Sequence, residues 1–415
     1  MRGSSASNPD GSARGAATRT AAAALSVTLA IQIYTSAAAT ATAVLAPEIG
    51  RDLGIAPKLV GVFVGVLYAG AMIASLASGM FIQRHGPIRV SQMCVLLCAA
   101  GALLVAVGST LPGGAVLALA IAPLIIGVGY GPITPASSQI LARTAHPSRM
   151  ALTFSIKQTG VPAGAALAGA ALPILALRFG WHAAFALVAV LGVAVALAGQ
   201  LTRAELDAGR TPAHLPTLAG IFAPLRELAR SRALVELVVT SFIYAALQTC
   251  LTSFIVVYLT ESLGFTLVAA GLVLTAANIG GIVGRISWGG IADLRLAPRQ
   301  LLGLIGLASA GCAFVTAAFD TGWPVAAVLT TSAIFGATAI GWNGVMLSEV
   351  ARLAPAGQVG AITGASGFVT FGGVMLGPPV FALIAALTGG YRSGFATFGG
   401  LALACGLWLL VRRKK

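Results

Sequence analysis

Two cations stand inside apolar runs, where a charge is costly. Lys157 sits in Phe154-Ser155-Ile156-Lys157-Gln158-Thr159-Gly160-Val161-Pro162, and Arg285 sits in Gly284-Arg285-Ile286-Ser287-Trp288-Gly289. No Asp or Glu lies at a comparable depth. Glu236, Asp293 and Glu349 fall near the ends of their runs, and the four histidines fall in loops or at helix ends. Buried cations without buried acids need an anion, and the simplest anion is one the protein binds. Gln158 adjoins Lys157, and Asn278 lies seven residues before Arg285, on the same helical face two turns away. Tyr34, Tyr68 and Tyr244 add polar aromatics that can donate to a carboxylate or stack on an organic ring. These seven are the candidate substrate-binding residues. Two alternatives stay open: Lys157 snorkels to headgroups, or Arg285 latches to Asp293 or Glu349. With no acid or imidazole at mid-run, the electrostatics favour exchange of one anion for another, with proton-coupled symport, through the undissociated acid or a group such as Glu236 or Glu349, as the close alternative.

The elements that hold these residues follow from composition. Only 9% of the 415 residues are charged and 58% are hydrophobic, whereas a soluble chain carries about 25% charged residues. Apolar runs long enough to cross a hydrocarbon core of ~30 Å recur twelve times, six before and six after a polar interval. The fold class expected is an all-α membrane protein of twelve transmembrane helices in two parallel six-helix repeats. Its parts are a disordered tail (1–19), a six-helix bundle (20–201), a linker (202–232), a second bundle (233–411) and a basic tail (412–415). Placing the N-terminus inside puts nineteen of the 25 lysines and arginines in cytoplasmic segments and only Arg51, Lys58, Arg178 and Arg392 outside. By the positive-inside rule both termini are cytoplasmic, in a cell inner membrane. The formal charge of +14 is spread over alternate loops rather than gathered in one stripe, so nucleic acid is not an expected partner. The five cysteines (Cys94, Cys98, Cys250, Cys312, Cys405) lie in apolar stretches without a CxxC pair, which indicates neither a disulfide framework nor a metal site. No cofactor and no enzymatic activity are expected. The partners are the lipid bilayer and a small anionic solute, and the working unit is a monomer.

The halves are copies. A shift of 210 residues aligns Ile33-Tyr34 with Ile243-Tyr244, Leu53-Gly54 with Leu263-Gly264, Gly79 with Gly289, Arg89 with Arg299, Gly131 with Gly341, and Gly180 with Gly390. An even number of helices per copy makes the repeat parallel, the arrangement in which two bundles rock about a midplane site. The same shift maps Lys157 to Gly367 and Arg285 to Ser75, so each half supplies a cation the other lacks.

The loops after helices 2 and 8 carry a further pattern. The second copy reads Gly289-Gly290-Ile291-Ala292-Asp293, then Arg295 and Arg299; the first reads Gly79-Met80-Phe81-Ile82-Gln83-Arg84-His85-Gly86, then Arg89. On these residues the chain resembles the major facilitator superfamily over nearly its whole length. The resemblance implies a latch at the cytoplasmic ends of the bundles built from Gly79, Gln83, Arg84, Arg89, Gly289, Asp293 and Arg299. Gln83 stands where the family has Asp, so the first latch loses its charge. Arg285, four residues before Gly289, looks like the arginine of monocarboxylate transporters and oxalate/formate antiporters that engages a substrate carboxylate. Cyanate-type permeases are similar too. The Gln158-Thr159-Gly160-Val161 stretch is more loosely similar to nitrate and nitrite porters. The expected function is secondary active transport of a small organic anion, a carboxylate, by alternating access. The rival expectation is multidrug or metabolite efflux by proton antiport, for which helix 5 lacks the full signature, reading Gly160-Val161-Pro162-Ala163-Gly164 instead.

Overall fold

The computed structural model describes residues 9–54, 60–108, 114–208 and 218–411. Residues 1–8 of the expected tail, Lys58, Arg210 and the basic residues 412–415 lie outside the described residues. The described chain is helical, without a strand, and twelve stretches are long and apolar enough to cross a membrane. The first six are α1 (Pro9–Leu53), α2 (Val60–His85), α3 (Pro87–Gly108), the pair α4 (Gly114–Tyr130) and α5 (Ile133–Thr144), the pair α6 (Met150–Gln158) and α7 (Gly160–Phe179), and α8 (Trp181–Leu206). After α9 (Leu218–Arg230) come α10 (Arg232–Leu263), α11 (Leu267–Leu294), α12 (Pro298–Ala317), the pair α13 (Val325–Ala339) and α14 (Asn343–Leu353), α15 (Val359–Thr388) and α16 (Tyr391–Val411).

Two boundaries differ from the sequence reading. Residues 9–19, expected to be disordered, belong to α1. The alanine-rich start of that helix has high propensity, and the Thr20 hydroxyl donates to Glu205 at the end of α8. The interval 202–232, expected to be a plain linker, holds the last turn of α8 and the whole of α9. In α9, Ile221, Leu225 and Leu228 recur at helical spacing and pack on the second half, leaving the arginines on the other face.

Local chemistry explains the shared plan of the halves. Gly54 and Gly264, one repeat apart, end α1 and α10 with positive φ of 64° and 69°, a conformation that costs glycine little. Three spans are broken near mid-length, and two of the breaks are repeat partners: Gly131-Pro132 between α4 and α5, and Gly341-Trp342 between α13 and α14. The third lies between α6 and α7. Pro162 has no N–H, so the carbonyl of Gln158 loses its helical partner there.

Each half has its own apolar core, one around Leu45, Leu67, Ile126 and Phe185, the other around Tyr258, Phe335, Phe381 and Phe395. Inside each half glycines bring helices into backbone contact. A Cβ on Gly127 of α4 would lie 2.0 Å from the Leu67 carbonyl oxygen on α2, and one on Gly336 of α13 would lie 1.8 Å from that of Ala277 on α11. The glycine run around Gly127-Val128-Gly129 is therefore packing surface, as small residues are in membranes. Large apolar side chains such as Leu177, Leu201, Leu294 and Leu387 point outward, as a lipid-facing surface requires.

The halves meet through α2 and α5 on α15, and through α6 on α11 and α14. These contacts lie toward the face where α2 turns into α3, here called the terminal face. Toward the opposite, far face, α7 packs on α1 and α8 of its own half, and the halves diverge.

Glycine packing gives a direct test. Gly336→Ala must push a methyl into the Ala277 carbonyl and should destabilise the purified protein by about 1–3 kcal/mol, read as a lower thermal unfolding midpoint in detergent. Gly311→Ala, with open space around the new methyl, should leave the midpoint unchanged or slightly higher.

Candidate functional site

The seam encloses a midplane cavity of two lobes. The inner lobe, about 130 Å³, is lined by residues including Ser75, Thr134, Gln158, Trp342, Asn343, Thr363 and Ser366. The outer lobe, about 280 Å³, runs toward the far face past Thr40, Ala43, Val64, Thr252 and Asn278. Tyr68, Tyr130, Val161, Gln248 and Arg285 wall both lobes. The cavity thus opens away from the terminal face.

Arg285 is held by the two helix breaks. Its Nε donates to the Ile340 carbonyl oxygen at 3.1 Å, where α13 ends. Its Nη1 donates to the carbonyl of Gln158, the one that Pro162 leaves without a helical partner. In a membrane an unsatisfied carbonyl costs several kcal/mol, so one guanidinium answers two such debts. Nη2 makes no hydrogen bond among the described residues, and Arg285 is 2% exposed, on the cavity wall.

Lys157 sits one layer behind. Its Nζ donates to Gln32 Oε1 at 2.6 Å, to Gln158 Oε1 at 3.0 Å and to Thr134 Oγ1 at 3.5 Å. It is 1% exposed and lines neither lobe. The snorkelling alternative therefore fails, since the ammonium points at Gln32 rather than toward headgroups. The latch alternative for Arg285 fails too, because Asp293 accepts from α6 and Glu349 pairs with Arg352 at 2.5 Å.

The other expected residues divide. Tyr68, Gln158 and Asn278 line the cavity. Tyr34 and Tyr244 do not. The Tyr34 ring turns to Gly192 on α8, and the Tyr244 hydroxyl donates to the Leu302 carbonyl at 2.8 Å on α12. These repeat partners fill the same notch in each half, so they are packing residues.

Several cavity residues escaped the sequence reading. Tyr130 meets Tyr68 edge to face and Phe371 at a tilt, in an aromatic cluster with centroids 5.9–6.4 Å apart. Asn343 donates to Gln248 at 3.2 Å. Trp342 Nε1 and Thr363 Oγ1 are buried without a partner, on residues that line the inner lobe. Carboxamides inside apolar runs, at Gln32, Gln248 and Asn343, carried the needed signal: they are the uncharged counterpart of Lys157 and Arg285.

The terminal face is closed. Asp293 accepts from the backbone N–H groups of Ala151 and Leu152 at 2.9 and 2.8 Å, at the N-terminus of α6, where the helix dipole favours a carboxylate. Gly289 lets α11 approach Ser155, and Gly79 lets α2 approach Ala361, where added Cβ atoms would lie 2.5 Å away. The expected first latch is not made. Gln83 has no hydrogen bond among the described residues, and the N-terminus of α15 is capped by Gln139, whose Oε1 accepts from Gly360 at 2.7 Å. Helix α9 borders a hollow of about 480 Å³ there, in which Arg226, Glu227 and Arg230 line the wall with Gln83. Arg299 also departs from the expectation: it pairs with Glu236 of its own half at 3.1 Å. Arg84 and Arg89 are exposed, and neither side chain meets a latch partner; the Arg89 backbone instead donates to Asp207 at 3.1 Å.

Residues 28–378 match the family model described as Major Facilitator Superfamily. A hexuronate transporter of Bacillus subtilis is 24% identical over 36% of this chain and 34% of its own length. An uncharacterized MFS-type transporter of Mycobacterium tuberculosis is 27% identical over 67% of this chain and 60% of its own. The matched segments therefore span about a third and about three fifths of these relatives. The fold is that of the E. coli fucose:proton symporter FucP in its outward conformation (TM-score 0.76, 18% identity, 94% of this chain and 98% of that one). It is also that of the human organic anion transporter MFSD10 (TM-score 0.72, 16% identity, 94% of this chain and 99% of that one).

The Asp293 contact is the part of the closure with charge in it. Asp293→Asn should remove about 1.5 kcal/mol of closure, and so shift the population of terminal-face-open molecules about tenfold. Labelling a single cysteine placed at Ser155 in a cysteine-free background should accelerate from the terminal face by that factor.

Proposed function

Because the chain belongs to the major facilitator superfamily, we propose that it is a secondary active transporter of an organic carboxylate, and that Arg285 receives the carboxylate. The observation that carries this reading is the Arg285 guanidinium, at mid-membrane on the cavity wall with Nη2 unused and no carboxylate among the described lining residues. A guanidinium edge matches a carboxylate in geometry as well as charge. Efflux by proton antiport is less well served, since the cavity presents no acid among its described residues to trade a proton against a cation.

The rest of the wall suits a hydroxylated body. Gln158, Gln248, Asn278, Asn343, Tyr68 and Tyr130 offer donors and acceptors around an aromatic patch, the surface a sugar ring uses. A sugar acid combines both demands, and the likeness to a protein named a hexuronate transporter supports that class. With the termini on the cytoplasmic side of an inner membrane, as the lysine and arginine count indicates, the cavity opens outward and the terminal face is the closed inner gate. One chain holds the complete cavity, so the working unit is the monomer.

The test is binding and uptake with a panel of D-glucuronate, D-galacturonate, lactate, oxalate and neutral D-glucose. A carboxylate should bind and D-glucose should not. Arg285→Gln and Arg285→Lys should each weaken carboxylate binding by about 30-fold or more, because a charge-assisted bidentate contact is lost. Equal affinity for D-glucose and D-glucuronate, or uptake by Arg285→Gln at the wild-type rate, would overturn the reading.

A further inference from the structure

We propose that Lys157 is the proton-carrying group of the transport cycle, gaining a proton when the carboxylate binds beside Arg285 and losing it when the carboxylate leaves. The proposal rests on the carboxylate reading above, and it takes proton-coupled symport over the anion exchange that the sequence favoured.

The surroundings of Lys157 contain no counter-charge among the described residues. Six elements pack on α6. From α11 come Arg285 and, at the terminal end, Asp293, which is engaged with the α6 backbone. From α14 come Glu349 and Arg352, paired with each other. Arg143 of α5 donates to the Ala208 carbonyl, and His146 caps the short 3-10 turn before α6, which ends on Arg149. On α7 the one charge, Arg178, lies in the last turn. On α1, Tyr34 faces α8, Arg19 lies near the terminal end, and Glu48 and Arg51 pair at the far end. The charged group that shares a partner with Lys157 is therefore Arg285, of the same sign, through Gln158: the side-chain oxygen takes Lys157 and the backbone carbonyl takes Arg285.

The cage is built to hold either form of the amine. A neutral amine fills its two short contacts, Gln32 Oε1 at 2.6 Å and Gln158 Oε1 at 3.0 Å. Its lone pair then faces the Thr134 hydroxyl at 3.5 Å. A hydroxyl both donates and accepts, so Thr134 can donate to the lone pair of the amine or accept the third N–H of the ammonium. Thr134 and Gln158 also line the inner lobe, which gives the proton a route that Lys157 itself lacks.

Charge counting then couples proton to solute. Empty, with a neutral amine, the centre carries the single positive charge of Arg285. A bound monocarboxylate cancels it, removes the repulsion and makes the ammonium favourable; the loaded centre is again singly positive. One charge at mid-membrane is thus kept through the cycle, whereas two would face a low dielectric unbalanced. In the protonation step the Nζ lone pair takes a proton from hydronium in the water of the open cavity, leaving neutral water. In release, the N–H bond breaks and the proton returns to water on the other side. By linkage, anything that favours the protonated amine favours the anion equally.

The experiment uses full-length protein in nanodiscs and the carboxylate of the panel that binds best. Calorimetry in two buffers of different ionisation enthalpy should show close to one proton taken up per carboxylate at mildly alkaline pH. Affinity should then fall about tenfold per unit rise in pH. Lys157→Gln and Lys157→Met should bind without proton uptake and keep counterflow exchange in proteoliposomes, while losing stimulation by an inward proton gradient. Lys157→Arg, a fixed cation, should also bind without proton uptake. Wild-type binding with no proton uptake, or one proton still taken up by Lys157→Gln, would overturn the proposal alone. No carboxylate binding, or binding indifferent to Arg285→Gln, would overturn the carboxylate reading and this proposal with it.

Discussion

One side chain reconciles the two demands that a membrane carrier places on its centre. The cavity needs irregular backbone at mid-membrane, and hydrocarbon tolerates none that is unsatisfied. Arg285 meets both by donating to the carbonyls of Ile340 and Gln158. The first bond lies within the second half and the second crosses to the first half. Rocking of the halves must stretch the crossing bond and leave the other intact. In the proposed function, a carboxylate at the same guanidinium would offer a replacement acceptor when the crossing bond is lost, so solute binding and bundle movement would act on one group.

The repeat shows what the two-fold plan supplies and what each copy changed. At the positions matching Arg285 and Lys157 the other seam has Ser75 and Gly367, in direct contact: a Cβ on Gly367 would lie 2.4 Å from the Ser75 hydroxyl oxygen. There the helices approach closely beside the inner lobe, and Ser75 donates to the Gly364 carbonyl at 3.1 Å. Replacing glycine and serine by lysine and arginine at the matching crossing forces room, and neutral oxygens from Gln32, Gln158 and Thr134 fill it. The latches diverge in the same manner. Asp293 caps α6 with charge, whereas the Gln83 side leaves the cap to Gln139 and has a hollow between Gln83 and α9. Helix α9 belongs to neither copy of the repeat, so it has no symmetric counterpart to match.

The fold was almost fully legible in the sequence because its signals are long. Twelve apolar runs, a constant 210-residue offset and glycines at fixed places outweigh any local error, and the misjudged parts are the short ones. The start of α1 and the whole of α9 are polar enough to pass for coil, and their order comes from tertiary contacts at Glu205 and Leu228. The site was legible in its charges and blurred in its neutral groups. Lys157 and Arg285 announce themselves by cost. Tyr34 and Tyr244 do not reveal their direction, since a tyrosine one position around a helix faces a glycine notch instead of the cavity. Tyr130 lies inside the glycine run that starts at Gly127, where nothing in the sequence marks it as facing a cavity. The sequence could not show that the proline in Gly160-Val161-Pro162 creates the acceptor that Arg285 uses, because the two lie 123 residues apart along the chain.

The closed face is assembled from contacts that are each weak alone. Ser75 to Gly364, Gln139 to Gly360, and Asp293 to Ala151 and Leu152 are side-chain bonds to helix-end or glycine backbone. Bonds of this kind contribute about 1 kcal/mol each, somewhat more where a charge takes part. Their sum is a closure of a few kcal/mol, the size of differential affinity that a small ligand can supply to shift a two-state equilibrium. A large apolar seam of interlocking leucines would have been tighter and would have left the carrier fixed in one state. The glycines at 79, 289 and 360 permit backbone approach without such interlocking. The two large apolar cores lie one in each half, around Phe185 and Phe395, and a small cluster of Leu141, Phe154 and Ala351, with Leu76, carries apolar packing across the seam.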